Sequence, residues 1–237
     1  MKHLVIVLIA ILIAGTDCLT GQTPTAPDEE LLLFVQRDIR PSVDRLNFHE
    51  GLRHFLAGLP AATPVKIYLT ANEQYSLVAE GPAGQLDWPG AVEFTLGFPS
   101  TTPYKNLLKF LQTSQVRDRT IIFVSTGVSQ DMYQLIDSTG FLPGETTFAP
   151  STYYPLPRII DYCKKNGVRL LGLFNPPPPS NQPSTASQAT LQPSQLTLSA
   201  FRYVVEDSGG KAYYNFISYQ ALFENILRTG AWKRKAS

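Results

Sequence analysis

Three apolar runs punctuate the chain: LLLFV at Leu31–Val35, TIIFV at Thr120–Val124 and VRLLGLF at Val168–Phe174. Each is too short to cross a bilayer as a helix, and each has the unbroken apolar character of a strand covered on both faces. Shorter strand patterns follow at Val65–Leu69 (VKIYL), Tyr75–Ala79 (YSLVA) and Lys211–Ile217 (KAYYNFI). Between these runs the apolar residues recur at helical spacing. One helix is predicted from Phe48, Leu52, Phe55, Leu56 and Leu59, with Gly58 and Pro60 as its stop. A second is predicted from Tyr104, Leu107, Leu108 and Leu111, where Thr102 before Pro103 suits a hydroxyl cap on the first turn. Leu156, Ile159, Ile160 and Cys163 predict a third, closed by the basic turn Lys164-Lys165 and by Asn166-Gly167. Leu198, Phe201, Val204 and Val205 give a fourth, stopped at Ser208-Gly209-Gly210, and Tyr219, Leu222, Phe223, Ile226 and Leu227 a last one. Met132–Ile136 carries a short helical pattern, Gly140–Ser151 reads as loop, and Ala91–Phe98 fits a strand or an irregular loop equally.

Strands alternating with helices along the chain imply an α/β fold: three layers, a doubly wound, mostly parallel sheet with helices on both faces, Rossmann-like. No internal repeat is visible, and residues 31–230 are read as one domain. Residues 21–30 form a Thr- and Pro-containing lead, and 231–237 a basic tail expected to be frayed and solvated. The segment 175–195, NPPPPSNQPSTASQATLQPSQ, carries no charge and almost no large apolar residue, so it is expected to be a disordered insertion with a polyproline II spur at Pro176–Pro179. Residues 1–20 read as a signal peptide of uncertain cleavage site: Lys2 and His3 precede the apolar run Leu4–Ala14, short of the ~20 residues that a membrane helix needs. The expected location is therefore periplasmic or extracellular, with membrane attachment only through an uncleaved N-terminal segment. Asp17 before Cys18 does not suit lipidation.

Composition narrows the function mainly by exclusion. With 43% hydrophobic and 16% charged residues the chain can build a sizeable core, and a net charge of +1 without a basic stripe argues against nucleic acid. The two cysteines, Cys18 and Cys163, make no disulfide framework, and Cys163 on an apolar helix face reads as a buried small hydrophobe. His49 and His54 are five apart on a helix, which does not place them together as a zinc pair, and both read as surface residues. No Gly-rich phosphate loop follows Leu31–Val35 and no Gly-x-Ser-x-Gly elbow is present, so enzyme motifs are lacking. Ser125-Thr126-Gly127 at a strand-to-helix turn offers backbone amides to an anion, a weak signal on one glycine.

The order of these pieces resembles a von Willebrand factor type A (VWA) domain, nearest to the secreted bacterial branch described from acidobacterial genomes. The segments that carry the resemblance are LLLFVQRDIRPSVDRLNFHEGLRHFLAGLPAATPVKIYLTA, STTPYKNLLKFL, RTIIFVSTGVSQD, GVRLLGLFN and FRYVVEDSGGKAYYNFISYQALFENIL, spanning Leu31 to Leu227. The resemblance implies a ligand edge at the carboxyl ends of the strands, where metal-binding relatives carry Asp-x-Ser-x-Ser, a threonine and a further aspartate around Mg²⁺ or Mn²⁺. This chain departs from that pattern. If Gln36 takes the aspartate position, Asp38 and Arg40 fall at the serines; if Asp38 takes it, Arg40 and Ser42 follow. Arg40 occupies a ligand position either way, and a guanidinium brings only donors and a positive charge. Thr102 stands at the threonine position, whereas Thr126 replaces the central aspartate and Asp131 comes too late.

These departures lead to the expectation of a degenerate metal site and of no cofactor. The expected function is an exported, non-enzymatic module that binds a protein partner through Arg37, Asp38, Arg40, Ser42, Thr101, Thr102, Thr126 and Ser129. Arg37 and Arg40 would meet carboxylates directly. The alternatives are an irregular Mg²⁺ or Mn²⁺ adhesion site built from Asp38, Ser42 and Thr102, a Rossmann-like enzyme, or a scaffold in an envelope assembly.

Overall fold

A run of residues with no polar face must be covered on both sides, and the sheet is arranged around that requirement. The computed structural model describes residues 30–36, 42–71, 74–86, 102–125, 155–174 and 193–233, with side chains 42–46, 71 and 193–197 excepted. In chain order the elements are β1 (Leu31–Gln36), α1 (Ser42–Gly58), β2 (Pro64–Ala71), β3 (Gln74–Pro82), α2 (Pro103–Thr113), β4 (Thr120–Ser125), α3 (Pro155–Asn166), β5 (Arg169–Phe174), α4 (Pro193–Asp207), β6 (Lys211–Tyr214) and α5 (Tyr219–Thr229). A 3₁₀ turn at Ala83–Gln85 follows β3.

The six strands lie in the order β3-β2-β1-β4-β5-β6. All neighbours are parallel except β2 and β3, which form an antiparallel hairpin with a register shift at Ile67/Tyr68. Side chains alternate between two cores, as the period of a strand dictates. Leu31, Leu33 and Val35 of β1, with Ile122 and Val124 of β4, face α1 and α5. Leu32 and Phe34, with Ile121 and Phe123, face α2, α3 and α4. The result is the three-layer α/β fold expected, with two of the described helices on one face and three on the other. Aromatic side chains fill much of both cores. Phe55 stacks on Phe223 at 4.9 Å between centroids on one side, and Phe34 meets Phe110 at 5.2 Å on the other.

Four helices end alike, with a residue in left-handed conformation and an amide reaching back to the carbonyl five residues earlier. Val116 bonds Leu111, Val168 bonds Cys163, Gly210 bonds Val205, and Ala231 bonds Ile226. Three of them place a glycine at the left-handed position: Gly167 at φ 63°, Gly209 at 80° and Gly230 at 62°. The end of α2 uses Gln115 at φ 47° instead, a side-chain penalty of roughly 1 kcal/mol. The following turn is braced by the Tyr162 hydroxyl, which donates to the Val116 carbonyl at 3.2 Å.

Some expectations at element ends are corrected. The last strand stops at Tyr214 rather than Ile217: Asn215 turns the backbone at φ 55°, Ile217 is fully exposed, and Ser218 already caps α5 by accepting from the Ala221 amide. Helix α4 opens at Pro193, inside the segment read as disordered, because proline suits a first helical turn that needs no N–H partner. The remainder of that insertion, the signal region, Met132–Ile136, Gly140–Ser151 and Ala91–Phe98 lie outside the described residues. The tail expected to fray is instead anchored as far as Lys233. Trp232 is 5% exposed and packs with α1 and α5. Arg169, at the amino end of β5, donates to the carbonyls of Ala231 and Lys233 and to the Thr120 hydroxyl. His54 is exposed as expected and lies 3.4 Å from Glu224.

Two outcomes check this packing. Gly172 on β5 lies beneath α4, where an added Cβ would sit 2.5 Å from the Phe201 ring and 2.6 Å from Val205. Gly172→Ala should therefore cost about 1–3 kcal/mol in urea unfolding, and an unchanged midpoint would contradict the fit. Cys163 is 1% exposed, and burial pushes its thiol from 9.0 up to about 12. Because the unfolded thiol ionises first, this contribution to stability is complete below pH 9.0 and is lost as pH rises towards 12. In a Cys18→Ser chain at pH 8, a chromogenic disulfide reagent should titrate Cys163 only after denaturant is added. Prompt reaction of the native protein would show an accessible thiolate.

Candidate functional site

Each of the three strands at the middle of the sheet exchanges apolar residues for an uncharged polar one near its carboxyl end. The last residue of β1 is Gln36, wholly buried; Thr70 of β2 lies opposite it in register and is equally buried; the last residue of β4 is Ser125, 1% exposed. The Ser125 hydroxyl donates to Gln36 Oε1 at 2.8 Å across 89 residues of sequence. This pair lies where the winding of the sheet reverses. The chain leaving β1 turns to α1 on one face, and the chain entering β4 comes from α2 on the other. In open α/β sheets such a crevice, outside the carboxyl ends, is where ligands bind.

The first turn of α2 closes the same edge. Thr102 is 3% exposed and Asn106 1%. The side-chain Nδ2 of Asn106 donates to the Gln74 carbonyl at 3.1 Å and so fastens α2 to the β2–β3 hairpin. The hydroxyl cap expected of Thr102 is not what ends the helix. At φ −132°, ψ 54° its side chain makes no capping bond, while its carbonyl accepts from the Asn106 amide at 3.1 Å. Proline at the next position already removes one amide that would have needed capping.

Of the residues expected at the site, Thr102 is placed in this buried cluster and Ser42 opens α1. Arg37, Asp38, Arg40, Thr101, Thr126 and Ser129 lie outside the described residues. The structure adds Thr70 and Asn106, and gives Gln36 and Ser125 a joint role. A signal for three of these was present in the sequence: the runs LLLFVQ, KIYLT and TIIFVS each close on one neutral polar residue. Asn106 had no such signal, since its partner is a backbone carbonyl brought near only by the tertiary fold.

The chemistry of this cluster is that of a neutral, hydrogen-bonded floor. An amide and hydroxyls supply no formal charge to offset desolvation of a divalent cation, and Gln36 Oε1 already accepts a hydrogen bond. Taken alone, these described side chains supply no charged ligand to a Mg²⁺ or Mn²⁺ ion. Among the described residues, no group of three or more His, Cys, Asp or Glu side chains is arranged to hold a metal ion.

No family model matches the chain, and no curated protein matches it. Among solved structures, the chain is similar to a von Willebrand factor type A protein from Catenulispora acidiphila, at 12% identity and a TM-score of 0.48. The match covers 86% of this chain and 41% of that one, so the chain spans less than half the length of that protein.

The neutrality of the floor can be tested by changing one atom type. Gln36→Glu keeps the shape of the side chain but places a carboxyl where Gln36 is 0% exposed. Burial should raise its folded pKa above the unfolded value of about 4.3, so the folded state retains the proton longer. Stability is then nearest to wild type at low pH and is lost as pH rises through the raised value. The destabilisation at pH 8 should exceed that at pH 5 by about 1–3 kcal/mol in denaturant melts. Equal losses at the two pH values would show a site that already accommodates negative charge.

Proposed function

We propose that the protein is an exported, non-enzymatic, VWA-like interaction module that binds a protein partner at the carboxyl edge of the sheet without a bridging metal. The hydrogen bond between Ser125 and Gln36 carries this reading, because a neutral, satisfied pair occupies the switch point where a cation-binding edge would need carboxylates. The β3-β2-β1-β4-β5-β6 order and the ordered segments from Leu31 to Leu227 support the VWA-like part. Lys2 and His3 before the apolar run Leu4–Ala14 support export.

Recognition falls to the loops that leave this floor. Arg37 and Arg40 pair with carboxylates of the partner through charge-assisted hydrogen bonds, with Asp38 and Ser42 beside them. Thr101, Thr102, Thr126 and Ser129 supply the neutral remainder of the surface. The two arginines thus perform by donation what a metal performs by coordination in relatives that keep the full ligand set. Among the described residues, the centre of the edge is a hydrogen-bonded amide–hydroxyl pair rather than a nucleophile with its base, which supports binding over catalysis.

Calorimetric titration with Mg²⁺, Mn²⁺ and Ca²⁺ should give no saturable heat, and none of the three should move the melting temperature by more than about 1 °C. Partners recovered from an envelope fraction should survive chelator and should be lost with Arg40→Glu. Saturable metal binding would overturn metal independence. Recovery of the same partners by Arg40→Glu would remove the arginine from the interface.

A further inference from the structure

The end of α2 departs from the other helix ends in a way its own stability does not explain. Where α3, α4 and α5 use glycine for the left-handed turn, α2 holds the longer side chain of Gln115, and Asp118 three residues on is left-handed too, at φ 50°. Left-handed residues of this kind cluster at functional sites, and at Asp118 the turn also lets its amide bond the Asn166 carbonyl at 2.8 Å. Gln115 and Arg117 both line a groove of about 540 Å³ between the end of α2 and the outer face of α3. The facing residues Arg158, Asp161 and Lys165 fall on one stripe of α3, because they are three and four apart. Gln115 and Arg117 also line a neighbouring cavity of about 280 Å³, together with Arg119, Lys66 and Glu30.

The lining is net positive: Arg117, Arg119, Arg158, Lys165 and Lys66 outnumber Asp161 and Glu30, and Glu30 pairs with Lys66 at 3.0 Å. Among the described residues, Arg117, Arg119, Arg158 and Lys165 make no ion pair within 4.0 Å, and all but the half-buried Arg119 are exposed. The cations are spread out rather than converging. Arg158 and Lys165 are seven residues apart on α3, an axial separation of about 10 Å. Both α2 and α3 also end towards this region, and helix C-termini carry partial negative charge. The helix ends weaken the attraction for any anion, and the spread of the cations disfavours one concentrated dianion such as phosphate in particular. It suits separate carboxylates, each met by its own guanidinium or ammonium group. A polyproline II peptide repeats every three residues at about 3.1 Å each, so carboxylates three residues apart lie on one side of it and match the spacing. Asp161 between the two cations would then face backbone amides of the bound peptide, which make no internal hydrogen bonds in that conformation.

We propose that this trench is a second recognition surface, distinct from the carboxyl-edge loops, and that it binds an acidic peptide segment in polyproline II conformation with carboxylates three residues apart. It does not depend on the partner or metal status of the first site.

The test uses fluorescein-labelled ten-residue peptides in a Ser/Gly background with two glutamates one, three or six residues apart, and a glutamine control at the three-residue spacing. Binding to the full chain is followed by anisotropy at low ionic strength, with inorganic phosphate and a DNA oligonucleotide as competitors. The peptide with glutamates three apart should bind at least tenfold more tightly than its glutamine control and more tightly than the other spacings. Arg117→Gln with Arg158→Gln should reduce that affinity at least tenfold without changing the melting temperature, and Asp161→Leu should weaken it as well. Arg40→Glu, at the first site, should leave it unchanged. No binding, equal binding at all spacings, binding indifferent to the arginine pair, or displacement by phosphate or DNA as effective as by unlabelled peptide would each overturn the proposal.

Discussion

Burial of β1 on both faces and along both edges is the constraint on which the rest of the structure depends. A strand in that position has no water to satisfy its backbone, so β2 and β4 must supply every ladder bond. Its side chains point alternately into two separate cores, so neither layer of helices is dispensable. The two-helix layer covers Leu31, Leu33 and Val35, and the three-helix layer covers Leu32 and Phe34. The winding reversal between β1 and β4 is the geometric result of feeding helices to both faces from one central strand. The position of the candidate site is therefore fixed by the need to bury β1, before any residue of the site is considered.

What the central strands do at their carboxyl ends is a different kind of constraint. Gln36, Thr70 and Ser125 sit at depths where carboxylates would carry a large desolvation cost. Neutral groups avoid that cost provided that they bond to one another, as Ser125 and Gln36 do at 2.8 Å. Among the described residues the floor of the edge thus carries no charged side chain of its own. This division between a neutral floor and charged loops gives the proposed recognition edge its character.

Much of the fold was legible because the apolar pattern is unusually clean. LLLFV, TIIFV and VRLLGLF read as buried strands, and each helix with a regular apolar stripe formed where its spacing required. The misreadings share a cause, which is tertiary contact overriding local character. Pro193–Gln195 looked too polar to fold but extends α4, whose later turns are buried against β5. Trp232 looked like part of a basic tail because its three neighbours are cationic, yet its indole is worth burying between α1 and α5. Phe216 and Ile217 continue an apolar strand pattern, but the left-handed Asn215 ends the strand before them. At the site, Gln36 and Ser125 were visible as neutral ends of apolar runs. Their hydrogen bond was not, since it joins residues 89 positions apart.

Arg169 gives the terminal turn a thermodynamic standing unlike that of an ordinary chain end. Burial lowers its pKa, and its Nε has no hydrogen-bond partner among the described residues, so its charge relies on the Thr120 hydroxyl and the carbonyls of Ala231 and Lys233. Peeling those residues away would withdraw solvation from a cation on β5 and expose the Trp232 ring in the same motion. Fraying is normally nearly free because it costs few contacts. Here it is coupled to the amino edge of the sheet, so residues 231–233 belong to the cooperative unit of β4 and β5 and should open with it rather than before it.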